Sequence, residues 1–453
     1  VNFTNQKVLV VGLARSGLAA VRELVRLKAA VTATDLKPAD QLPLNQIAGL
    51  PVELVLGGYP ESVTGFDLVV TSPGVPLTAP PLKNAVKQGI PVWSELELAY
   101  RLMAGEIVAI TGTNGKTTTT ALAGNIFQKA GRPTVVAGNI GVPLVAEASK
   151  TTSEHISVVE VSSFQLEHIH RFRPRVAVIL NLALDHLDRH GTLENYRAVK
   201  ARIFANQGPE DFTIINEEDP LLQGLAKKTA GRVLFFSSKH KLNSGVGVDN
   251  GLIVANLFGR EEIICPVEDL FIPGPHNLEN ALAATAAALA LGIDGRSVAQ
   301  TLREFPGVSH RLERVAEING VLYVNDSKGT NPDSTIKALA SYDRGIVLIA
   351  GGRNKGNSFA ELAREIKARA KGLVLVGEAK EEIRREMEKL GFANLVQVET
   401  FDEVVPRAAR LAEPGDVVLL SPACASWDMF QNYEERGEAF KKQVEELAKS
   451  LPD

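Results

Sequence analysis

Only two cysteines occur among the 453 residues, Cys265 and Cys424, and they lie far apart. That excludes a disulfide framework and a four-cysteine zinc site. An excess of charge of one sign is also missing. The formal net charge is -4, too small at this length to leave an electrostatic footprint for nucleic acid or a membrane surface. No uninterrupted apolar stretch reaches the roughly 20 residues that cross a bilayer. The first residues, Val1 to Val11, read directly as a strand, without the basic region and apolar core of a secretory leader. Low-complexity tracts and short-period repeats are missing too. The expectation is a cytoplasmic, monomeric enzyme with no nucleic-acid or membrane partner.

The composition is otherwise that of a globular protein, and the length exceeds one ordinary core, so several domains are expected. Apolar strand-like runs alternate with helical patterns almost from end to end, which predicts an α/β fold with parallel sheets covered by helices. Punctuation divides the chain into residues 1–93, 94–306 and 307–453. The first unit holds KVLVVG, AVTATD and DLVVTSPG, each ending in a turn. The second opens on a helix near Ser94 and the strand EIVAITG, with a hairpin signal at Asp249-Asn250-Gly251 and an Ala-rich helix from Asn277 to Leu291. The third begins with a hairpin turning at Asn319-Gly320 and continues in strand–helix units from GIVLIAGG, GLVLVGEAK and DVVLLSPA. Strands ending in Gly, Ser or Pro mark where α/β folds place ligands.

The second unit's first strand runs into Gly112, Thr113, Asn114, Gly115, Lys116, Thr117 and Thr118, then a helix. Glycines let backbone N–H groups converge on phosphate oxygens, and the helix N-terminus adds a favourable dipole. Lys116 can reach terminal phosphates, and the Thr117 hydroxyl is placed for Mg²⁺. The usual spacing wants glycine four residues before the Gly-Lys pair, where Ile110 stands. Gly112 serves instead, in a shorter variant. ATP binding is the reading, against an incidental glycine-rich turn.

A different loop, Gly12-Leu13-Ala14-Arg15-Ser16-Gly17, follows the first strand, and Asp35 closes the second. It is nearly the dinucleotide fingerprint, with alanine at the middle glycine. Thr71-Ser72-Pro73-Gly74 ends another strand of the same sheet and can face the same ligand. A nucleotide with a diphosphate fits; its identity stays open at this point, NAD included.

Three further positions invite chemistry. Glu160 lies among valines in ISVVEVSS, so it is either an outward-facing strand residue or a magnesium ligand. Asp185-His186-Leu187-Asp188-Arg189-His190 follows the strand VAVILNLAL; Leu187 stands where a zinc protease needs glutamate, and a metal or phosphate site fits better. A surface histidine is the alternative, most of all for His190. Lys200 shares a helical face with Tyr196, Val199, Ile203 and Phe204. It either snorkels to solvent or is chemically modified.

Taken together, GTNGKTT, GNIG (138–141), EVSSFQLE (160–167), DHLDRH, HNLENALAA (276–284), HRLE (310–313), NDSKGTN (325–331), GGRNKG (351–356) and SPACASWD (421–428) resemble the Mur ligase family. The resemblance covers essentially the whole chain, and SSFQLE, NDSK-TN and SPACAS are similar to its D-glutamate-adding branch. It implies a Rossmann-like N-terminal domain, a central ATPase domain and a Rossmann-like C-terminal domain. It implies an ATP-dependent amide ligase whose substrates are UDP-N-acetylmuramoyl-L-alanine and D-glutamate. Lys116 and Thr117 would hold ATP phosphates and Mg²⁺, with Glu160 a further ligand. His186 would sit at a second Mg²⁺ with Lys200, which the family carries as a carbamate. Asn277, Arg311 and Asp326 would contact the nucleotide, and Lys328 would lie near the reacting groups. Ser16, Asp35, Gly74 and Asn139 would contact the UDP-sugar, and Thr330, Lys355, Ser426 and Tyr433 would hold D-glutamate. Departures from the family pattern fall at Arg15, Gly329, Trp427 and Tyr433.

Overall fold

Val, Ile and Leu occupy nearly every interior strand position, the pattern of strands covered on both faces. The computed structural model describes residues 2–449 apart from 140, 184, 185, 273 and 344, and only the backbone of 187 and 188. Three sheets form. The first contains β1 (Lys7–Val11), β2 (Ala30–Asp35), β3 (Val52–Leu56), β4 (Leu68–Thr71) and β5 (Val92–Ser94) in the order β3-β2-β1-β4-β5, all parallel. The chain order reverses between β1 and β4, which opens a crevice beyond their carboxyl ends.

The second sheet has nine strands: β6 (Glu106–Thr111), β7 (Thr134–Gly138), β8 (Ile156–Glu160), β9 (Val176–Ile179), β10 (Phe212–Asn216), β11 (Arg232–Phe236), β12 (Gly245–Asp249), β13 (Leu252–Leu257) and β14 (Arg260–Pro266). Their order is β14-β13-β12-β11-β10-β9-β6-β8-β7, so the switch falls between β6 and β9. The expected Asn-Gly hairpin joins β12 to β13, with Asn250 and Gly251 at φ 47° and 77°. Both residues tolerate the left-handed region that such a turn requires.

The third sheet contains β15 (Glu313–Ile318), β16 (Val321–Asn325), β17 (Ile346–Gly351), β18 (Ala370–Val376), β19 (Leu395–Gln397) and β20 (Val417–Leu420) in the order β15-β16-β20-β17-β18-β19. Asn319 and Gly320 turn the β15–β16 hairpin. The carboxyl ends of β16, β17 and β20 are neighbours, so the loops after Asn325, Gly351 and Leu420 share one edge.

Helices cover these sheets. They are α1 (Arg15–Arg26), α2 (Pro80–Lys87), α3 (Glu95–Leu102), α4 (Lys116–Lys129), α5 (Leu144–Ala148), α6 (Ser163–Leu166), α7 (Leu187–His190), α8 (Leu193–Ala201), α9 (Pro220–Gln223), α10 (Pro275–Ala290), α11 (Gly295–Glu304), α12 (Pro332–Leu339), α13 (Ala360–Arg369), α14 (Lys380–Lys389), α15 (Val404–Leu411) and α16 (Tyr433–Lys449). The Ala-rich helix α10 starts two residues before the expected Asn277 and ends at Ala290. No helix among the described residues is long and apolar enough to cross a membrane.

The chain divides into two compact units, Val1–Asp269 with Glu279–Arg303, and Leu270–Leu278 with Glu304–Asp453. Within the first unit, one continuous core joins Leu18, Val21 and Leu24 of α1, Leu98 of α3 and Leu144 of α5 to Val159 of β8. Helix α3 stitches the two sheets of that unit. Ser94 caps it, accepting from Glu97 N, while the Glu97 carboxylate accepts from the backbone N–H groups of His170, Arg171 and Phe172 at 2.8–3.0 Å. A buried carboxylate is stable there because three amide donors replace its water.

Candidate functional site

The loop after β6 lies at the switch between β6 and β9, and its shape is fixed by neighbours rather than by its own length. Gly115 sits at φ 82° as the N-cap of α4, and a Cβ there would come 2.3 Å from Asn280 Oδ1. Only glycine satisfies both constraints. Asn181, just past β9, holds the loop from the other side. Its Oδ1 accepts from Asn114 N at 2.9 Å, and its Nδ2 donates to Asn114 O at 3.2 Å. Lys116 Nζ donates to the Gly112 and Thr113 carbonyls at 2.9 and 2.8 Å. The Thr118 hydroxyl is buried with no hydrogen-bond partner among the described residues.

Glu160, at the end of β8, is buried, which rules out the outward-facing reading. Thr117 Oγ1 donates to its Oε2 at 2.8 Å, and Asn139 Nδ2 donates to its Oε1 at 3.0 Å. Hydroxyl and carboxylate oxygens side by side at a helix N-terminus make a hard-donor pair suited to Mg²⁺. Among the described residues no three His, Cys, Asp or Glu side chains converge as a metal cluster. Mg²⁺ commonly takes one or two protein ligands beside substrate phosphates, so the pair fits such a cation.

Lys200 does not snorkel. It is 1% exposed, and its Nζ donates to Gly112 O at 2.8 Å and Thr111 Oγ1 at 3.3 Å, 4.8 Å from the centre of the Tyr196 ring. Tyr196 is itself buried, with its hydroxyl 3.4 Å from Thr113 Oγ1. His186 is exposed, stacked edge-on against Phe164 at 4.8 Å. His190 is buried rather than on the surface, 3.0 Å from Ser163 Oγ. Asp185 and the side chain of Asp188 lie outside the described residues. The structure therefore gathers Gly112 to Thr118, Glu160 and Lys200 at one loop, with His186 reached through Phe164 and Tyr196.

At the other switch, between β1 and β4, lies a cavity of about 750 Å³ lined by Ser16, Asp35, Gly74, Asn139, Tyr59 and Gln165, among others. All four residues expected at the UDP-sugar line it. Gly17 lets α1 start against the loop: a Cβ there would lie 1.8 Å from Gly12 O. Asp35 steadies the same loop, accepting from Leu13 N at 2.7 Å, and its own turn, accepting from Lys37 N at 2.9 Å.

The second unit carries Asn277, Arg311, Asp326, Lys328, Thr330, Lys355, Ser426 and Tyr433. Asp326 is buried; Ser421 Oγ donates to it at 2.7 Å and Leu312 N at 3.3 Å. Burial pushes its carboxyl up to about 6, against the opposing pull of Arg311. Lys328 Nζ lies 5.3 Å from the Tyr433 ring centre. Paired backbone bonds between Arg353 and Ala425, at 2.9 and 3.0 Å, clamp the Lys355 loop beside Ser426. Lys355 itself is exposed, Ser426 is buried, and Asn277 is buried at the start of α10. Burial pushes the Cys424 thiol up to about 12, so it is an inert packing residue.

Sequence reading missed several supports: Asn181, Asn280, Glu95 and Arg436. Arg436 is buried, with Nε 3.0 Å from Ser327 Oγ, Nη2 2.8 Å from Ser327 O, and both terminal nitrogens 3.2 Å from Cys424 O. It ties the loop before Lys328 to the loop before Ser426. Their partners lie 12 or more residues away in sequence, so no local pattern announces them.

A glycine-rich loop at a helix N-terminus backed by a buried carboxylate, with a separate crevice at a second switch point, is the arrangement expected of an ATP-using α/β protein. Comparison with known proteins narrows that class. The Mur ligase MurD-like N-terminal domain matches residues 6–94, the Mur ligase middle domain 110–288, and the Mur ligase glutamate ligase domain 310–424. A UDP-N-acetylmuramoylalanine–D-glutamate ligase from Pelotomaculum thermopropionicum is 55% identical, covering 99% of both chains. One of the same name from Alkaliphilus metalliredigens is 47% identical, covering 98% of this chain and 99% of its own. In fold, the chain is similar to a UDP-N-acetylmuramate–alanine ligase from Thermotoga maritima, with a TM-score of 0.61, 21% identity, and coverage of 98% and 100%. The chain belongs to the Mur ligase family.

Proposed function

We propose that this ligase uses ATP to join D-glutamate to the carboxylate of UDP-N-acetylmuramoyl-L-alanine, through an acyl phosphate. The 55% identity to a D-glutamate ligase over 99% of the chain carries the choice of substrates. The phosphate loop with its Thr117–Glu160 pair supports the use of ATP. A carboxylate is a poor acyl donor because it is anionic and lacks a leaving group. Attack by its oxygen on the γ-phosphorus forms an O–P bond and releases ADP. The D-glutamate amine then attacks the acyl carbon, and the tetrahedral intermediate expels phosphate.

In this reading Gly112 to Thr118 cradle the phosphates, and Lys116 turns from its loop carbonyls to the terminal phosphate. Thr117 and Glu160 would hold Mg²⁺, which supplies neutralisation of the phosphate charge. Lys200 carries a carbamate, formed from its amine and CO₂ with loss of a proton. That changes a buried cation into an anion suited, with His186, to a second cation. Asn277, Arg311 and Asp326 bind the nucleotide. Lys328 stands by the reacting groups, while Ser16, Asp35, Gly74 and Asn139 line the UDP-sugar pocket. Thr330, Lys355, Ser426 and Tyr433 bind D-glutamate, with Lys355 pairing a carboxylate.

The test is phosphate release with UDP-N-acetylmuramoyl-L-alanine and a panel of D-glutamate, L-glutamate, L-alanine and diamino acids. D-glutamate alone should stimulate turnover. Equal stimulation by another member of the panel would refute the acceptor assignment.

A further inference from the structure

Helix α5 begins without a cap of its own: its N-cap is Pro143, which offers no side-chain acceptor. The N–H of Val145 in its first turn is taken instead by Glu95 Oε1, at 2.7 Å and 50 residues distant in sequence. The other oxygen of the same carboxylate, Oε2, accepts from Gln165 Nε2 at 3.5 Å. Gln165 cannot turn its amide over freely. Its Oε1 already accepts from Ser162 N and Ser162 Oγ, at 2.9 and 3.1 Å, in the capping box of α6. Both elements that Glu95 touches form walls of the large cavity: Pro143 at the head of α5, and Gln165 itself.

We propose that Glu95 is a positioning residue for the sugar-nucleotide pocket, fixing the start of α5 and the side-chain amide of Gln165 against the bound UDP-sugar. Glu95 does not itself line the cavity; it acts through the two walls. This rests on the reading of that cavity as the UDP-sugar site. The cost of the arrangement points the same way. Glu95 is 1% exposed, and burial pushes its carboxyl up to about 7, with the two donors only partly offsetting that rise. A neutral side chain of the same shape would be easier to bury. Retaining a carboxylate gives two acceptor ends at once, which the facing donors of Val145 and Gln165 require. An amide has one acceptor end and one donor end. Glu95→Gln therefore keeps the bond to Val145 but sets one NH₂ group against another at Gln165. Relief by flipping Gln165 would break the capping box.

The experiment is steady-state kinetics of Glu95→Gln with UDP-N-acetylmuramoyl-L-alanine and ATP varied separately, beside thermal unfolding and a Gly74→Val control. Gly74 lines the cavity and has open space where a Cβ would stand, so valine adds bulk at the cavity wall. The expected result is a rise of about tenfold in KM for the UDP-sugar substrate, the worth of one hydrogen bond to a charged group. Both kcat and KM for ATP should stay within about twofold, with no fall in melting temperature. Loss of kcat, affinity and melting temperature together would reduce Glu95 to a structural residue and overturn the inference. An unchanged KM in Glu95→Gln, with Gly74→Val raising it, would overturn the inference and leave the pocket assignment standing. Unchanged KM in both variants would overturn the pocket assignment and the inference with it.

Discussion

Replacing Arg436 by methionine should destabilise the second unit by about 3–5 kcal/mol, because three buried acceptor atoms lose their charged donor. Four hydrogen bonds disappear, at 2.8–3.2 Å, and they lead to only two places, Ser327 and the Cys424 carbonyl. Methionine fills much of the volume but offers those carbonyls and the hydroxyl no donor. Each buried acceptor left unmatched costs about 1–3 kcal/mol. Burial already draws the guanidinium down to about 10, which shows how far from water the group sits. Because Ser327 also donates to Tyr433 O at 2.8 Å, the loosened loop should carry Tyr433 with it. Urea denaturation, read as the change in midpoint at constant slope, measures the effect. A loss below about 1 kcal/mol, typical of a tolerant surface position, would refute the network argument. Arg436→Lys should recover little, since a single ammonium cannot reach both loops with a planar fork.

Other outcomes follow from the first unit. Asn181→Ala removes two bonds that brace Asn114 and should raise KM for ATP about thirtyfold, at roughly 1 kcal/mol net for each bond; unchanged ATP kinetics would show that the loop holds itself. Lys200→Ala should lower phosphate release by roughly a hundredfold or more, as loss of a charge-stabilising group does. Added bicarbonate should not restore it, because no amine remains to take up CO₂; rates like the wild type would sink the carbamate reading. Glu95 makes stability pH-dependent. Its folded value near 7 lies above the ordinary 4.5, so its contribution is full below pH 4.5 and is lost as pH rises through 7. The stability gap between Glu95→Gln and the parent should move in favour of the variant by up to about 3 kcal/mol from pH 4.5 to 8.5. A gap independent of pH in paired denaturation curves would contradict a raised carboxyl.

Much of this was legible in the sequence because the signals were local. Two Asn-Gly pairs between alternating runs gave hairpins at Asn250 and Asn319, and both adopt the positive φ that those residues allow. Gly112 to Thr118 marked a loop between strand and helix, and the structure places it before α4 at the switch between β6 and β9. The burial of Lys200 was half visible, since Tyr196 and Ile203 on the same helical face are core residues, yet periodicity alone could not separate a buried lysine from a snorkelling one. Glu160 posed the same question, and burial beside Thr117 answered it. The supports were not legible. Asn181 reads as a loop residue, Glu95 as an ordinary acid in the first turn of a helix, and Arg436 as one cation on a highly charged helix. Each gains its role only when the fold of its own unit brings segments distant in sequence together.

The most direct measurement of the central claim follows oxygen. The enzyme is given UDP-N-acetylmuramoyl-L-alanine labelled with ¹⁸O in its carboxylate, together with ATP and D-glutamate, and the released phosphate is weighed. Passage through an acyl phosphate predicts one labelled oxygen in each phosphate, equimolar with ADP and with a product lengthened by one D-glutamyl residue. Unlabelled phosphate accompanying that product would contradict the account.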